Sequence, residues 1–195
     1  MIRRVAACGV LLLAGGCASL PPADDADSWP GRRAELQALQ TWTLDGRVAV
    51  AAATKGFSGG LAWRQDDAQA EIDLRGPLGG AALSIRLDGI SMTVTDGSGA
   101  SVAGEEARAF VASEIGAPLP IAELRYWLVG VPAPGLPHQE TIGADGRLAR
   151  LEQAGWQLRY SRYQAVGRLA LPVRIDIESE TARLRLVVSS WRLPP

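Results

Sequence analysis

The sequence predicts a mainly β domain, a half-open antiparallel β-barrel covered by a helical lid and enclosing a hydrophobic cavity. Three observations predict it. Apolar and polar residues alternate with period two through most of the 195-residue chain, the pattern of strands that bury one face. Clusters of Gly, Pro and Asp interrupt that alternation at close intervals, as in the meanders of sandwiches and barrels. Midway, between Glu105 and Val131, the period changes to that of helices. A closed barrel of modest size fills its interior with its own side chains. Two helices inserted halfway are placed more economically across the open side of a curved half-barrel, over an apolar space that need not be full.

The first residues read as a targeting segment, 1–16. Arg3 and Arg4 precede the apolar run Val5–Leu13, and Ala14-Gly15-Gly16 lead into Cys17. The run is too short to span a bilayer. Small residues ending on Gly-Cys resemble a bacterial lipobox, which would make Cys17 an acylated N-terminus; a plain cleaved signal with an incidental cysteine is the other reading. Cys8 would leave with the signal, so the mature chain would hold no free thiol, disulfide or cysteine metal site. Residues 17–29 then form an acylated N-terminus and a flexible Pro- and Asp-rich tether, and 30–195 form a single domain. No Asp follows Cys17, which points to the outer membrane rather than retention at the inner one.

The domain opens with a short helix within Pro30–Trp42, marked by Leu36 and Leu39 in a polar run. Leu44, Val48, Val50 and Ala52 define a first strand, and Phe57, Leu61 and Trp63 a second. The glycines between Val48 and Trp63 imply sharp curvature or close backbone approach. Ala70, Ile72 and Leu74, then Leu83, Ile85 and Leu87, form a hairpin with one apolar face. Its connection, Gly76-Pro77-Leu78-Gly79-Gly80, carries a large apolar side chain where turns prefer small or polar residues. Leu78 therefore either folds into the core or points at something other than water. Ile90, Met92 and Val94 continue the alternation, and a short strand covers Ala100–Ala103.

Ala107, Phe110, Val111 and Ile115 follow helical spacing, with Glu105 and Glu106 at the positive end and Gly116 as the stop. Pro120 opens a second helix in which Ile121, Leu124, Leu128 and Val131 form a stripe, ended by Gly130 and Pro132. A Pro-rich loop runs to His138. Strands return over Leu148–Glu152, Trp156–Tyr160, Val173–Ile177 and Leu184–Trp191.

Several chemistries lack their materials. His138 is the only histidine, so neither a hydrolytic triad nor a histidine metal site can assemble. No phosphate loop ending in Lys-Ser or Lys-Thr is present, and the carboxylates are dispersed, so no enzyme activity, metal or cofactor is expected. Lys55 is the only lysine and the net charge is −1, which argues against nucleic acid. Trp63, Trp127, Trp156 and Trp191 lie in predicted strands or the second helix, where they read as core or pocket aromatics.

Three motifs, taken with the lipobox and tether, resemble the LolB family of outer-membrane lipoproteins. They are Pro77-Leu78-Gly79 between two alternating strands, Pro118-Leu119-Pro120, and Leu124-Arg125-Tyr126-Trp127-Leu128-Val129-Gly130-Val131-Pro132. The closing order of aromatic strand, Pro172, apolar strand and Trp191 agrees, while Gly76 replaces the Asn usual before Pro-Leu-Gly. The resemblance implies a monomeric receptor, lipid-anchored through Cys17 to the outer membrane and facing the periplasm. Its partners would be a periplasmic lipoprotein carrier (LolA-like), acylated lipoprotein cargo and outer-membrane lipids. It would insert the cargo into the inner leaflet of that membrane. It further implies that Pro77, Leu78 and Gly79 contact the membrane, and that Trp63, Leu124, Trp127 and Leu128 belong to the acyl-binding cavity or its lid. A lipid- or hydrophobic-ligand-binding lipoprotein without protein cargo is the alternative; a structural lipoprotein with a filled core and the carrier itself stand behind it.

Overall fold

The computed structural model describes residues 28–52, 55–76 and 81–194. The signal segment, Cys17, the tether as far as Asp27, and the membrane-contact residues Pro77, Leu78 and Gly79 lie outside the described residues. The chain begins with α1 (Trp29–Gln37), followed by β1 (Thr41–Ala52), β2 (Gly56–Asp66), β3 (Gln69–Arg75), β4 (Ala81–Asp88), β5 (Ser91–Asp96) and β6 (Ser101–Ala103). Two helices interrupt the strands, α2 (Gly104–Ile115) and α3 (Ile121–Val129). The chain then closes with β7 (His138–Ile142), β8 (Leu148–Gln153), β9 (Trp156–Val166), β10 (Leu169–Glu178) and β11 (Ala182–Arg192).

All eleven strands join one sheet in the order β6-β5-β4-β3-β2-β1-β11-β10-β9-β8-β7. Each neighbouring pair is antiparallel, so two meanders meet along the β1–β11 seam. β6 and β7 are the two free edges, and the chain between them contains α2 and α3. That connection has to travel from one rim of the curved sheet to the other. The lid therefore follows from topology: α2 packs on β5 and β6, while α3 packs on β10 in the other meander. The barrel is half-open, and the helices lie over its open side.

Strand parity sets the core. Leu44, Val50, Leu61, Ile72, Leu74, Ile85, Leu184 and Leu186 alternate inward on their strands and are buried. At the seam, Trp42 packs against Trp63 with ring centroids 5.8 Å apart and edge-on against Trp191 at 5.4 Å. The Trp191 indole N–H donates to the carbonyl of Pro172 over 2.8 Å, where β10 bulges around its proline. Gly59 explains one of the glycines in β2: a Cβ there would collide with the carbonyl oxygen of Arg75 on β3.

Four local expectations change. Val131, expected in the apolar stripe of the second helix, lies beyond it, because α3 ends at Val129 with Gly130 as its cap. α1 ends at Gln37, and Trp42 is the second residue of β1 rather than the end of a helical run. The helix starts at Trp29 because the Ser28 hydroxyl accepts from the N–H of Gly31 and Pro30 suits the first turn. Ile90 does not join the inward alternation of Met92 and Val94. Asp88 pairs with Ser91, so Gly89 and Ile90 form the two-residue turn, with Gly89 at φ +58° and Ile90 91% exposed. Finally, β7 continues beyond the Pro-rich loop. Its sequence, His138-Gln139-Glu140-Thr141-Ile142, has one apolar residue, because it is an edge strand that pairs only with β8 and buries no full face.

Candidate functional site

The concave face of the sheet and the underside of the lid enclose an apolar cavity. Fifteen side chains line it and all are apolar. The strands supply Val48, Val50, Phe57, Leu61, Trp63, Ile72, Leu74, Ile85, Ile177, Leu184 and Leu186; the lid supplies Leu119, Ile121, Leu124 and Leu128. The lid residues follow from helical geometry, since Ile121, Leu124 and Leu128 at i, i+3 and i+7 share one face of α3. No titratable side chain of the described residues lines this space, so it offers an apolar solvent and no acid, base or nucleophile. Its volume is about 70 Å³, half that of an apolar cavity of about 150 Å³ that takes up benzene. As it stands, this space takes up only a few carbons of an apolar ligand.

The four residues expected at the cavity or lid divide into two groups. Trp63, Leu124 and Leu128 line the cavity. Trp127 sits on α3 but is absent from the lining: its ring turns away from the cavity, is fully buried, and donates to Oε1 of Gln153 over 2.8 Å. The same oxygen accepts from the N–H of Ala133 at 2.8 Å, and the amide nitrogen of Gln153 donates to the carbonyl of Ala133 at 2.8 Å. The Tyr160 hydroxyl donates to the carbonyl of Trp127 at 2.9 Å. Gly130 closes α3 at φ +86°, where an added Cβ would crowd Pro172 at 3.0 Å and the Tyr163 hydroxyl at 3.2 Å. The C-terminal end of α3 is thus bolted to β8, β9 and β10. The other end has no such side-chain hydrogen bond among the described residues: Pro118 is exposed, Pro120 is half-buried, and Leu119 and Ile121 are half-buried and pack on the core through apolar contact alone.

Gln153 is the functional residue that sequence reasoning missed. Its only signal was a polar side chain at an inward position of β8, two residues after Leu151 and just before the Ala154-Gly155 turn. Gln65 does a similar job on β2, accepting from the Trp63 indole N–H at 3.0 Å and donating to the carbonyls of Asp67 and Gln69. It fixes the ring that forms part of the cavity floor.

The tyrosines under α3 make the bolt sensitive to alkali. Burial, with a smaller contribution from Tyr163, pushes the Tyr160 hydroxyl well above the usual tyrosine value, and burial also raises Tyr163. In the unfolded chain both titrate near pH 10. Above that pH the unfolded state releases protons that the folded state keeps, so stability falls as pH rises, by up to about 1.4 kcal/mol per unit for each tyrosine. Below about pH 9 the effect vanishes. Urea unfolding at pH 8 and pH 11 is expected to show a loss of about 1–3 kcal/mol across that interval, and Tyr160→Phe is expected to remove about half of the slope. An unchanged midpoint would remove the tyrosines from the bolt.

Comparisons with known proteins agree with this geometry. The sequence profile of the family described as "Outer membrane lipoprotein LolB" matches residues 40–191. The chain is 36% identical over 188 residues to the outer-membrane lipoprotein LolB of Nitrosococcus oceani, covering 94% of each chain. It is 36% identical over 199 residues to that of Pseudomonas aeruginosa PAO1, covering 98% of this chain and 96% of the relative. Among solved structures, a LolA superfamily protein of Nitrosomonas europaea superposes with a TM-score of 0.54 at 10% identity, covering 86% of this chain and 94% of that one. A putative outer membrane lipoprotein-sorting protein domain of Vibrio parahaemolyticus gives 0.55 at 8% identity, covering 84% and 89%. The two structures share the fold.

Proposed function

This chain belongs to the LolB family of outer-membrane lipoproteins, and on that premise we propose that it is a receptor for acylated lipoproteins. It takes them from a LolA-like periplasmic carrier and inserts them into the inner leaflet of the outer membrane. The observation that carries this reading is the all-apolar space closed by a lid that is bolted at one end only. Each acyl CH₂ kept from water is worth about 0.8 kcal/mol, so an acylated protein crosses water only while its chains are covered. The transfer makes and breaks no covalent bond. It runs downhill if this cavity holds the chains better than the carrier does and less well than the bilayer.

Cys17 would carry the lipid anchor, residues 18–27 the reach, and the domain, which begins at the Ser28 cap and Trp29 of α1, would face the periplasm. Pro77, Leu78 and Gly79 connect β3 to β4 and would touch the membrane. One leucine entering a bilayer contributes about 1.5–3 kcal/mol, too little to anchor a domain and enough to orient it or disturb the leaflet where cargo leaves. Leu78→Glu is therefore expected to fold and accept cargo from a loaded carrier as the parent does, while delivery into vesicles of outer-membrane lipids falls at least tenfold. Delivery at the parental rate would end the membrane role of Leu78.

A further inference from the structure

We infer that the open groove between the β4–β5 turn, α2 and the start of α3 is a second binding site for a fatty acyl chain, leading into the enclosed cavity beneath a strap formed by Leu119 and Ile121. The inference rests on the acyl-receptor reading above and adds a second place where a chain lies, together with the path between the two. Leu119 and Ile121 line both voids, so one short segment separates them. The groove has a volume of about 730 Å³ against about 70 Å³ for the cavity. Six benzene carbons fit an apolar cavity of about 150 Å³. On that scale the closed cavity holds roughly three carbons, and the groove holds a chain of a dozen or more.

The lining selects a chain rather than a charged ligand. Met92 and Val111 are buried at the floor, with Leu87 half-buried beside them. The charged residues of the lining, Glu105, Arg108, Glu123 and Arg125, are two of each sign and sum to zero. They offer no net attraction to an anionic headgroup, while the apolar floor favours hydrocarbon. Arg108 donates to the carbonyl of Ile90 over 3.0 Å, which fixes the β4–β5 turn to α2 and holds the groove at its width. Ile90 itself stands 91% exposed among the residues lining the groove. Turns favour small or polar residues there, and a large aliphatic side chain in that place gives the groove an apolar lip. A chain entering past Ile90 would meet the strap with its methyl end first. The strap is the end of the lid that follows Pro118 and contains Pro120, opposite the end bolted through Trp127 and Tyr160.

The test uses the full chain and an S-diacylglyceryl lipopeptide whose palmitoyl chains carry a diazirine at mid-chain. Irradiation followed by peptide mapping is expected to place adducts on groove residues outside the enclosed cavity, among them Leu87, Met92 and Tyr126. Ala109→Trp fills the groove from an exposed helix position; it is expected to lower lipopeptide affinity at least tenfold with the unfolding temperature unchanged. Adducts confined to cavity residues such as Leu61, Ile72 and Leu184, with Ala109→Trp binding as the parent does, would overturn the groove site and leave the receptor reading intact. Absence of both adducts and saturable binding would overturn the receptor reading as well.

Discussion

Replacing Gln153 with leucine is expected to remove a large part of the stability of the domain. Leucine keeps the volume but offers neither donor nor acceptor. The Trp127 indole N–H, the N–H of Ala133 and the carbonyl of Ala133 all pair with Gln153 in a buried environment, and all three lose their partner. A buried polar group left unsatisfied costs about 1–3 kcal/mol, so the three together cost about 3–9 kcal/mol against a total of about 5–15 kcal/mol for a domain. At about 2–4 °C per kcal/mol for a chain of this size, the unfolding temperature is expected to fall by at least about 6 °C. Thermal unfolding followed by circular dichroism measures it. A fall below about 3 °C would show that α3 is held by something other than this amide.

The second large effect is functional. Ile121→Asp places a carboxylate on the strap at a position that is half-buried rather than buried, next to Pro120, which is also partly open. The fold is expected to survive, with an unfolding temperature within a few degrees of the parent. An acyl chain, however, would lose an apolar wall and meet a charge. Loss of one aliphatic contact of this size costs about 2 kcal/mol, roughly a thirtyfold fall in affinity. Lipoprotein accepted from a loaded carrier is expected to drop accordingly, while Ser113→Asp on the exposed face of α2 leaves acceptance unchanged. Equal acceptance by the parent and Ile121→Asp would mean that chains do not pass Ile121.

How much of this was legible in the sequence depended on where each residue's burial comes from. Strands β1 to β5 and β8 to β11 were readable because one face is buried and period two survives translation into sequence. The stripe Ile121, Leu124, Leu128 was readable for the same reason at helical period. Their convergence on one cavity was partly readable, since helices inserted between two meanders have to cross the open side. β7 was not readable, because an edge strand at the rim buries too little to impose a pattern. Ile90 misled because parity alone cannot tell a strand's first residue from the last residue of a two-residue turn. Trp127 illustrates the opposite limit: helical spacing placed it on the lid, but only the partner amide of Gln153, distant in sequence, shows that it fastens the lid rather than lines the space beneath it. Gln153 had no periodic signature to announce it.

The most direct measurement mixes the chain with a LolA-like carrier loaded with an acylated lipoprotein, in the absence of any nucleotide, and follows the cargo by co-purification. The account predicts that most of the cargo leaves the carrier for this chain and then passes into added vesicles of outer-membrane lipids. Cargo that stays on the carrier, while the same chain still takes up a free fatty acyl probe, would contradict it.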